Sequence, residues 1–445
     1  MRSILVVLAL TVSAFAAKDY SGYQVLRVTP GTDEHRQWLR DMETSMADEL
    51  DFWSDIKNIP GSTVDIMVPN RLRSNLLDLF NVKRMQVSTM IEDVGQLIRD
   101  QEKERIERQV YTQDLSTFDY TIYHDYDEIQ QWVEDIVNEY STIATSFELP
   151  KTSYEGRTIS GIKIRGTGGD SGTRKGVYFE GGIHAREWIS PATLMYITKL
   201  LLEDYMAGDA TALRFFDTLD WYIVPSLNAD GYTYTRTDDR LWRKTRSNND
   251  VTGSGCMGTD PNRNWPFEWG GQGTSAYPCS NVYHGSNALS ESEVEAVVDF
   301  LRDKKDNGQD FLWFIDWHSY SQLVISPWSF SAEEPDPYNI DQLQAAGEAM
   351  AEGIRSYSSE TEYTAGPTAK LLYAAAGASN DWGYAPYNSD KNQGGLGAPY
   401  SYVMELRDTG TYGFLLPEDQ IEDSGKETVL GVYAMGTYIL DQEGL

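Results

Sequence analysis

Two imidazoles and a carboxylate stand where a chain could hold a metal ion. His184 and Glu187 lie three residues apart, just past Gly181 and Gly182, and His318 closes the apolar run Phe311 to Trp317. Two imidazoles and one carboxylate suit zinc, and three protein ligands leave its fourth position for water, as in a catalytic site. An H-x-x-E pair alone is more often a surface pair, but only five His occur in the chain and two stand at strand ends beside glycine or at an apolar boundary. A second carboxylate, Glu405, ends the apolar pattern that begins at Tyr400. An acid there is costly to bury alone, so it must face a cleft, a partner or a metal. Arginines sit beside aromatic residues in two further stretches, Arg240 to Arg246 (RLWRKTR) and Asp260 to Trp265 (DPNRNW). A guanidinium with an amide neighbour can grip a carboxylate with two hydrogen bonds, although either stretch alone is also the pattern of a surface ion pair.

These groups need elements to carry them. Val177, Tyr178 and Phe179 read as a buried strand broken by the two glycines. Ser190 and Pro191 read as the N-cap and first turn of a helix through Leu194, Ile197, Leu201 and Leu202, which Gly208 ends. His184 and Glu187 are therefore expected in a strand-to-helix turn, and α/β sheets gather ligands beyond the carboxyl ends of their strands. Further strands are expected near Ile159 to Arg165, Trp221 to Val224, Phe311 to Trp317 and Tyr400 to Glu405, with helices at Asp127 to Tyr140 and Lys426 to Leu440. The alternation predicts an α/β domain, a mixed, mostly parallel sheet with helices on both faces. Asp238 to Ser290, rich in Asn, Gly and Pro, reads as a long loop, and a loop of that length in a compact domain is usually functional.

The front of the chain has a different pattern. Ile4 to Ala14 is apolar, too short to span a bilayer and followed by small residues, which predicts a secretory signal peptide cut after Ala16 or Ala17. From Gly22 to about Arg108 the order is strand, helix, strand, strand, helix, strand, an antiparallel α+β open sandwich, with strands expected at Leu50 to Ile56 and Thr63 to Val68. The charged segment Ile91 to Gln109 reads as a connecting helix, with Arg105 and Arg108 as exposed sites for a trypsin-like cut. A secreted product agrees with its two cysteines, Cys256 and Cys279, closing a disulfide, against two free thiols or a metal pair. A formal net charge of −31 over 445 residues argues against nucleic-acid and anionic-membrane partners, so any anion site must be built from local arginines.

Taken together these pieces carry a resemblance. HAREW at 184–188, RLWRKTRS at 240–247, DPNRNW at 260–265, DWHSYSQL at 316–323, YAAAGASNDW at 373–382 and ELRDTGTYGFLLP at 405–417 resemble the secreted zinc metallocarboxypeptidases of the pancreatic A/B type, in proenzyme form. The likeness covers the chain from about Phe118, and the prosegment is similar too. It implies one Zn2+ per chain held by His184, Glu187 and His318, with Asp260 orienting a ligand imidazole. It implies Glu405 as general base and proton donor, and Arg243 as the group that stabilises the oxyanion. Asn262, Arg263 and Tyr373 would hold the terminal carboxylate, with Arg186, Tyr320 and Phe414 in outer subsites and Ser319 also binding substrate, and Cys256 and Cys279 sit at the family's disulfide.

The resemblance divides the chain into a signal peptide (1–17), an activation prosegment with connecting helix (18–116) and a catalytic domain (117–445). Its substrates would be peptide or protein C-termini, and an activating protease would cut between about Arg105 and Thr117. The product is expected to be an extracellular monomer. Asn380 matches the floor of the family's specificity pocket, with Ser329 and Thr368 on its walls. A neutral floor cannot pair Lys or Arg, which implies an A-type preference for aromatic or aliphatic C-terminal residues. A B-type or broad enzyme is the alternative, and an inert binder of peptide C-termini a more distant one.

Overall fold

The computed structural model describes residues 17–54, 56–57, 61–111, 118–169 and 172–445, with no side chains described for 107–111. The apolar run of the expected signal peptide and the segment 112–117 lie outside them. The N-terminal unit has four strands, β1 (Gln24–Thr29), β2 (Asp51–Phe52), β3 (Val64–Val68) and β4 (Gln86–Ile91), in the antiparallel order β2-β3-β1-β4. Helices Asp33–Ser45 and Asn70–Val82 fall between them in the expected order. Period-two alternation gives the sheet two apolar faces. Leu26, Val28, Ile66 and Val68 pack with Leu39, Met42, Leu76 and Phe80 of the helices. Val25 and Met67 point the other way, onto Tyr320, Phe414 and Leu415 of the large domain. The expected strand Leu50 to Ile56 shortens to β2, because the Trp53 and Ser54 amides both bond the Asp65 carbonyl and the chain turns off the sheet. Helix Val94–Tyr111 then leaves the unit.

The large domain is one eight-stranded sheet of β5 (Ala144–Glu148), β6 (Ser160–Ile164), β7 (Gly176–Gly181), β8 (Asp220–Val224), β9 (Phe311–Ser319), β10 (Leu323–Ser326), β11 (Thr364–Pro367) and β12 (Tyr400–Leu406). Its order is β11-β10-β12-β9-β7-β8-β6-β5, parallel through the centre and antiparallel at β10/β12, β8/β6 and β6/β5. Central strands β7, β8 and β9 are buried along their whole length, which is why they read as continuous apolar runs. Adjacent residues of β8 show that helices cover both faces. Trp221 packs on Phe215 of helix Ala210–Thr218, ring centroids 5.6 Å apart, and Tyr222 on Phe300 of helix Ser292–Asp306, also at 5.6 Å.

Three neighbours, β12, β9 and β7, run parallel, so their carboxyl ends meet at one edge of the sheet. His184 and Glu187 follow β7, His318 is the penultimate residue of β9 rather than just beyond it, and Glu405 pairs in register with His318. Gly182 turns the chain there at φ +65, a conformation glycine adopts without steric cost. Ser190 is not the N-cap. The helix spans Ile189–Ala207, and the buried Ser190 hydroxyl accepts from the Gly182 amide and donates to the Trp317 carbonyl, fastening the turn after β7 to β9. Gly208 ends the helix in the left-handed conformation, as expected.

Candidate metal centre and substrate cavity

His184, Glu187 and His318 converge at this edge, all buried, with one ligand atom from each lying within 4.8 Å of the others. His184 Nδ1 is 2.8 Å from Glu187 Oε1 and 3.0 Å from His318 Nδ1, and His318 Nδ1 is 3.2 Å from Glu187 Oε2. The remote nitrogens fix the tautomers. His184 Nε2 faces Asp260 Oδ1 at 3.0 Å and His318 Nε2 faces Asp316 Oδ2 at 2.8 Å, so each imidazole donates outward and turns a lone pair inward. Two inward lone pairs and a carboxylate repel one another unless a cation lies between them. The set fits zinc with three protein ligands.

Asp260 also organises the arginines. Its Oδ2 accepts from Arg243 Nε at 3.2 Å and Nη2 at 2.9 Å, and its Oδ1 accepts from the Asn262 amide at 2.9 Å. Arg243 Nη1 lies 3.6 Å from Glu187 Oε1, which puts the guanidinium at the metal centre. The turn Pro261–Arg263 then aims Arg263 back into the cavity, where its Nη1 donates to the Asn262 carbonyl at 2.8 Å, its Nε to the Gly273 carbonyl at 3.0 Å and its Nη2 to the Tyr373 hydroxyl at 3.1 Å. Asn262 Oδ1 accepts from the Ser379 amide at 2.8 Å. Its Nδ2 lies 3.3 Å from His318 Nε2, a contact between two donors, because that nitrogen already donates to Asp316.

One cavity joins the triad to Arg243, Asn262, Arg263, Tyr373 and Glu405, and ends at Ser329, Thr368 and Asn380. Glu405 is half-buried on its wall. Apolar side chains Ile325, Leu372 and Val403 line the approach to the floor. The floor is polar, neutral and internally bonded: Asn380 Oδ1 accepts from Ser329 Oγ at 2.8 Å, and Asn380 Nδ2 donates to Thr368 Oγ1 at 3.2 Å.

Outer residues Arg186, Tyr320 and Phe414 lie under the N-terminal unit. Arg186 Nη1 meets Asp51 Oδ2 at 2.7 Å, the Tyr320 hydroxyl donates to Asp65 Oδ2 at 2.9 Å, and the Phe414 ring lies 5.2 Å from Trp53. Trp53, Ser54 and Lys57 reach the cavity itself. The Ser319 amide donates to Glu187 Oε2 at 3.2 Å, and among the described residues its buried hydroxyl has no hydrogen-bond partner. Cys256 and Cys279 are joined, with Cα atoms 5.1 Å apart. Arg105 is half-buried and paired with Glu102 at 2.7 Å, less open than the sequence suggests.

Asp316 is not among the site residues expected from the sequence, although it lies within the run Phe311 to Trp317. The signal was available: residues two apart on a strand share a face, which puts Asp316 beside His318. Ser379 Oγ in turn donates to Asp316 Oδ2 at 2.7 Å.

A family model described as zinc carboxypeptidase matches residues 129–431, and one described as carboxypeptidase activation peptide matches residues 26–101. Carboxypeptidase A2 of Rattus norvegicus is 36% identical over 441 residues, covering 99% of this chain and 99% of that protein. Carboxypeptidase B of Astacus astacus is 42% identical over 326 residues, covering 73% of this chain and 99% of that protein. The crystal structure of thrombin activatable fibrinolysis inhibitor matches with a TM-score of 0.80 at 31% identity, covering 94% of this chain and 98% of that one.

Proposed function

The chain belongs to the zinc carboxypeptidases and carries their activation peptide, and on that premise we propose that it is a secreted proenzyme whose mature form removes aromatic or aliphatic residues from peptide C-termini. It is a zinc-dependent metallocarboxypeptidase of the A/B type. The reading takes residues 1–17 as signal, 18–116 as prosegment and 117–445 as the catalytic, monomeric product, freed by a protease acting between Arg105 and Thr117. Among the described residues no helix is long and apolar enough to cross a membrane.

The observation that carries the exopeptidase reading is Arg263 with Tyr373 in the same cavity as the metal triad. In an acidic protein this buried guanidinium is the local counter-charge for a substrate's terminal carboxylate, and an internal peptide bond brings no carboxylate there. His184, Glu187 and His318 would hold the zinc, which when bound would supply a polarised carbonyl and a water of lowered pKa. Glu405, on the wall of the same cavity, would take a proton from the attacking water and deliver it to the leaving amine. Arg243, anchored by Asp260, meets negative charge that develops on the carbonyl oxygen only after attack, so it acts on turnover more than on binding. Asn262 steadies the carboxylate beside Arg263, and the apolar walls receive the terminal side chain. The intact triad, with Glu405 and Arg243 beside it, argues against an inert peptide binder.

Specificity rests on Asn380. Its carbonyl is occupied by Ser329 and no carboxylate lies on the floor to neutralise Lys or Arg, which supports the A-type preference. A B-type or broad enzyme is the second reading, favoured by the polar floor and by the likeness to a carboxypeptidase B. The test is release of Phe and of Arg from blocked dipeptides by the trypsin-treated proenzyme, with and without a zinc chelator. Chelator-sensitive release, faster for Phe, is expected. Equal rates on the two substrates would remove the A-type assignment, and no release of either by zinc-loaded, cleaved protein would remove the exopeptidase reading.

A further inference from the structure

Arg186 is the most deeply buried cation of the outer cleft. With the prosegment in place its side chain is 2% exposed, its guanidinium lies 3.9 Å from the Phe414 ring centroid, and among the described residues its buried Nε has no hydrogen-bond partner. The carboxylate that meets it belongs to the prosegment, Asp51 Oδ2 at 2.7 Å, while Asp51 Oδ1 accepts from Asn281 Nδ2 at 2.7 Å. A second prosegment acid, Asp48, accepts from the Tyr277 hydroxyl at 3.1 Å. Donors on the catalytic domain therefore receive carboxylates from one acidic stretch, Asp48 to Asp51. Asp51 differs here from Asp65, which the prosegment neutralises itself through Arg27 at 2.7 Å. Among the described residues the prosegment gives Asp51 a tryptophan N–H but no cation, so this acid is matched to the enzyme surface.

Removal of the prosegment strips Arg186 and Asn281 of their acceptor. The neighbouring Arg240 adds positive charge without bringing an acid, since its guanidinium donates to the Arg186 and Phe414 carbonyls. The prosegment supplies part of the cover over Arg186, so its departure opens the guanidinium to the groove without its acid, and a carboxylate in the place of Asp51 restores the charge-assisted pair. The place is also on the path of a substrate. Arg186 and Arg243 line one groove with Asn281, and Arg243 lines the metal cavity as well, so the groove leads outward from the scissile bond. We propose that the mature enzyme selects peptides with an aspartate or glutamate upstream of the scissile bond, bound by Arg186 and Asn281 where the prosegment now places Asp51. This rests on the exopeptidase reading and adds to it a substrate class that the C-terminal side chain does not define.

The test uses the trypsin-activated full chain and blocked pentapeptides ending in Phe, otherwise Ala, with Glu, Gln or Lys at each of the three positions before the scissile bond in turn. A Glu peptide should exceed its Gln counterpart in kcat/KM by about tenfold at one position, with Lys lowest, and the ratio should shrink in 0.5 M salt. Arg186→Met and Asn281→Ala should each bring the Glu-to-Gln ratio toward one. Asn281 is half-buried, so its variant serves if Arg186→Met does not fold. Ratios within twofold at all three positions, or a Glu preference that survives both substitutions, would overturn the proposal while leaving the exopeptidase reading intact. Failure to cut even the all-Ala peptide would remove both.

Discussion

Replacing Asp316 should weaken zinc binding without touching a ligand. Asp316 Oδ2 accepts two hydrogen bonds at once, from His318 Nε2 at 2.8 Å and from Ser379 Oγ at 2.7 Å. An asparagine that turns its carbonyl oxygen to the same place keeps both bonds and loses only the charge. A leucine leaves both donors without an acceptor, and His318 then has no group fixing which nitrogen carries its proton. Partners of this kind are worth about 10- to 100-fold in metal affinity. Asp316→Asn belongs at the low end, about tenfold or roughly 1.4 kcal/mol, and Asp316→Leu at the high end, about a hundredfold or roughly 2.7 kcal/mol. The assay is competition for zinc between the proenzyme and a fluorescent chelator, with near-ultraviolet circular dichroism checking that each variant is folded. Affinities within twofold of the parent for both folded variants, or an Asn variant as weak as the Leu one, would refute the argument that this carboxylate orients and charges the ligand.

Other outcomes follow from the same geometry. Asn380→Asp puts a carboxylate on the pocket floor and should raise the ratio of C-terminal Arg to Phe hydrolysis by about a hundredfold; an unchanged ratio would detach specificity from this residue. Glu293 is buried beside Glu291 and Asp230, and burial first and those two charges next push its carboxyl up to about 8. A raised folded-state value means stability present below the ordinary carboxyl range and lost as pH rises to about 8, so Glu293→Gln should gain on the parent by a few kcal/mol between pH 5 and pH 8.5. Equal Tm differences at the two pH values would count against it. Cys256→Ser opens a link across 23 residues that include the Arg263 turn and should cost about 3 kcal/mol in denaturant unfolding; a loss near zero would mean that the loop is held by its other contacts.

Much of the centre was legible because catalytic donors sit at the ends of buried strands, and buried strands leave unbroken apolar runs. His184, Glu187, His318 and Glu405 could be placed in this way, and the prosegment order was readable from its alternation. Strands β5, β10 and β11 were not. They are four or five residues long, β5 is largely exposed, and their pairing is decided by distant neighbours. Ser190 misled because a serine before proline has the composition of a helix cap, whereas its hydroxyl is used to tie two strand ends together. Arg186 could be named from sequence, but its partner Asp51 lies 135 positions away and belongs to the other domain. No local pattern encodes that pairing.

The two-faced prosegment sheet bears on how activation proceeds in time. One face closes a hydrophobic core with the prosegment's own helices, and the other is spread over Tyr320, Phe414 and Leu415. Cutting the connector severs one covalent link and none of these contacts. A liberated piece that kept its own core and these contacts would stay seated as a noncovalent inhibitor, and activity would then appear at the rate at which it dissociates. Activation in concentrated solution would then be slower and less complete than after dilution, because the fragment would rebind. A second cut inside the fragment, which destroys its core, makes the change irreversible.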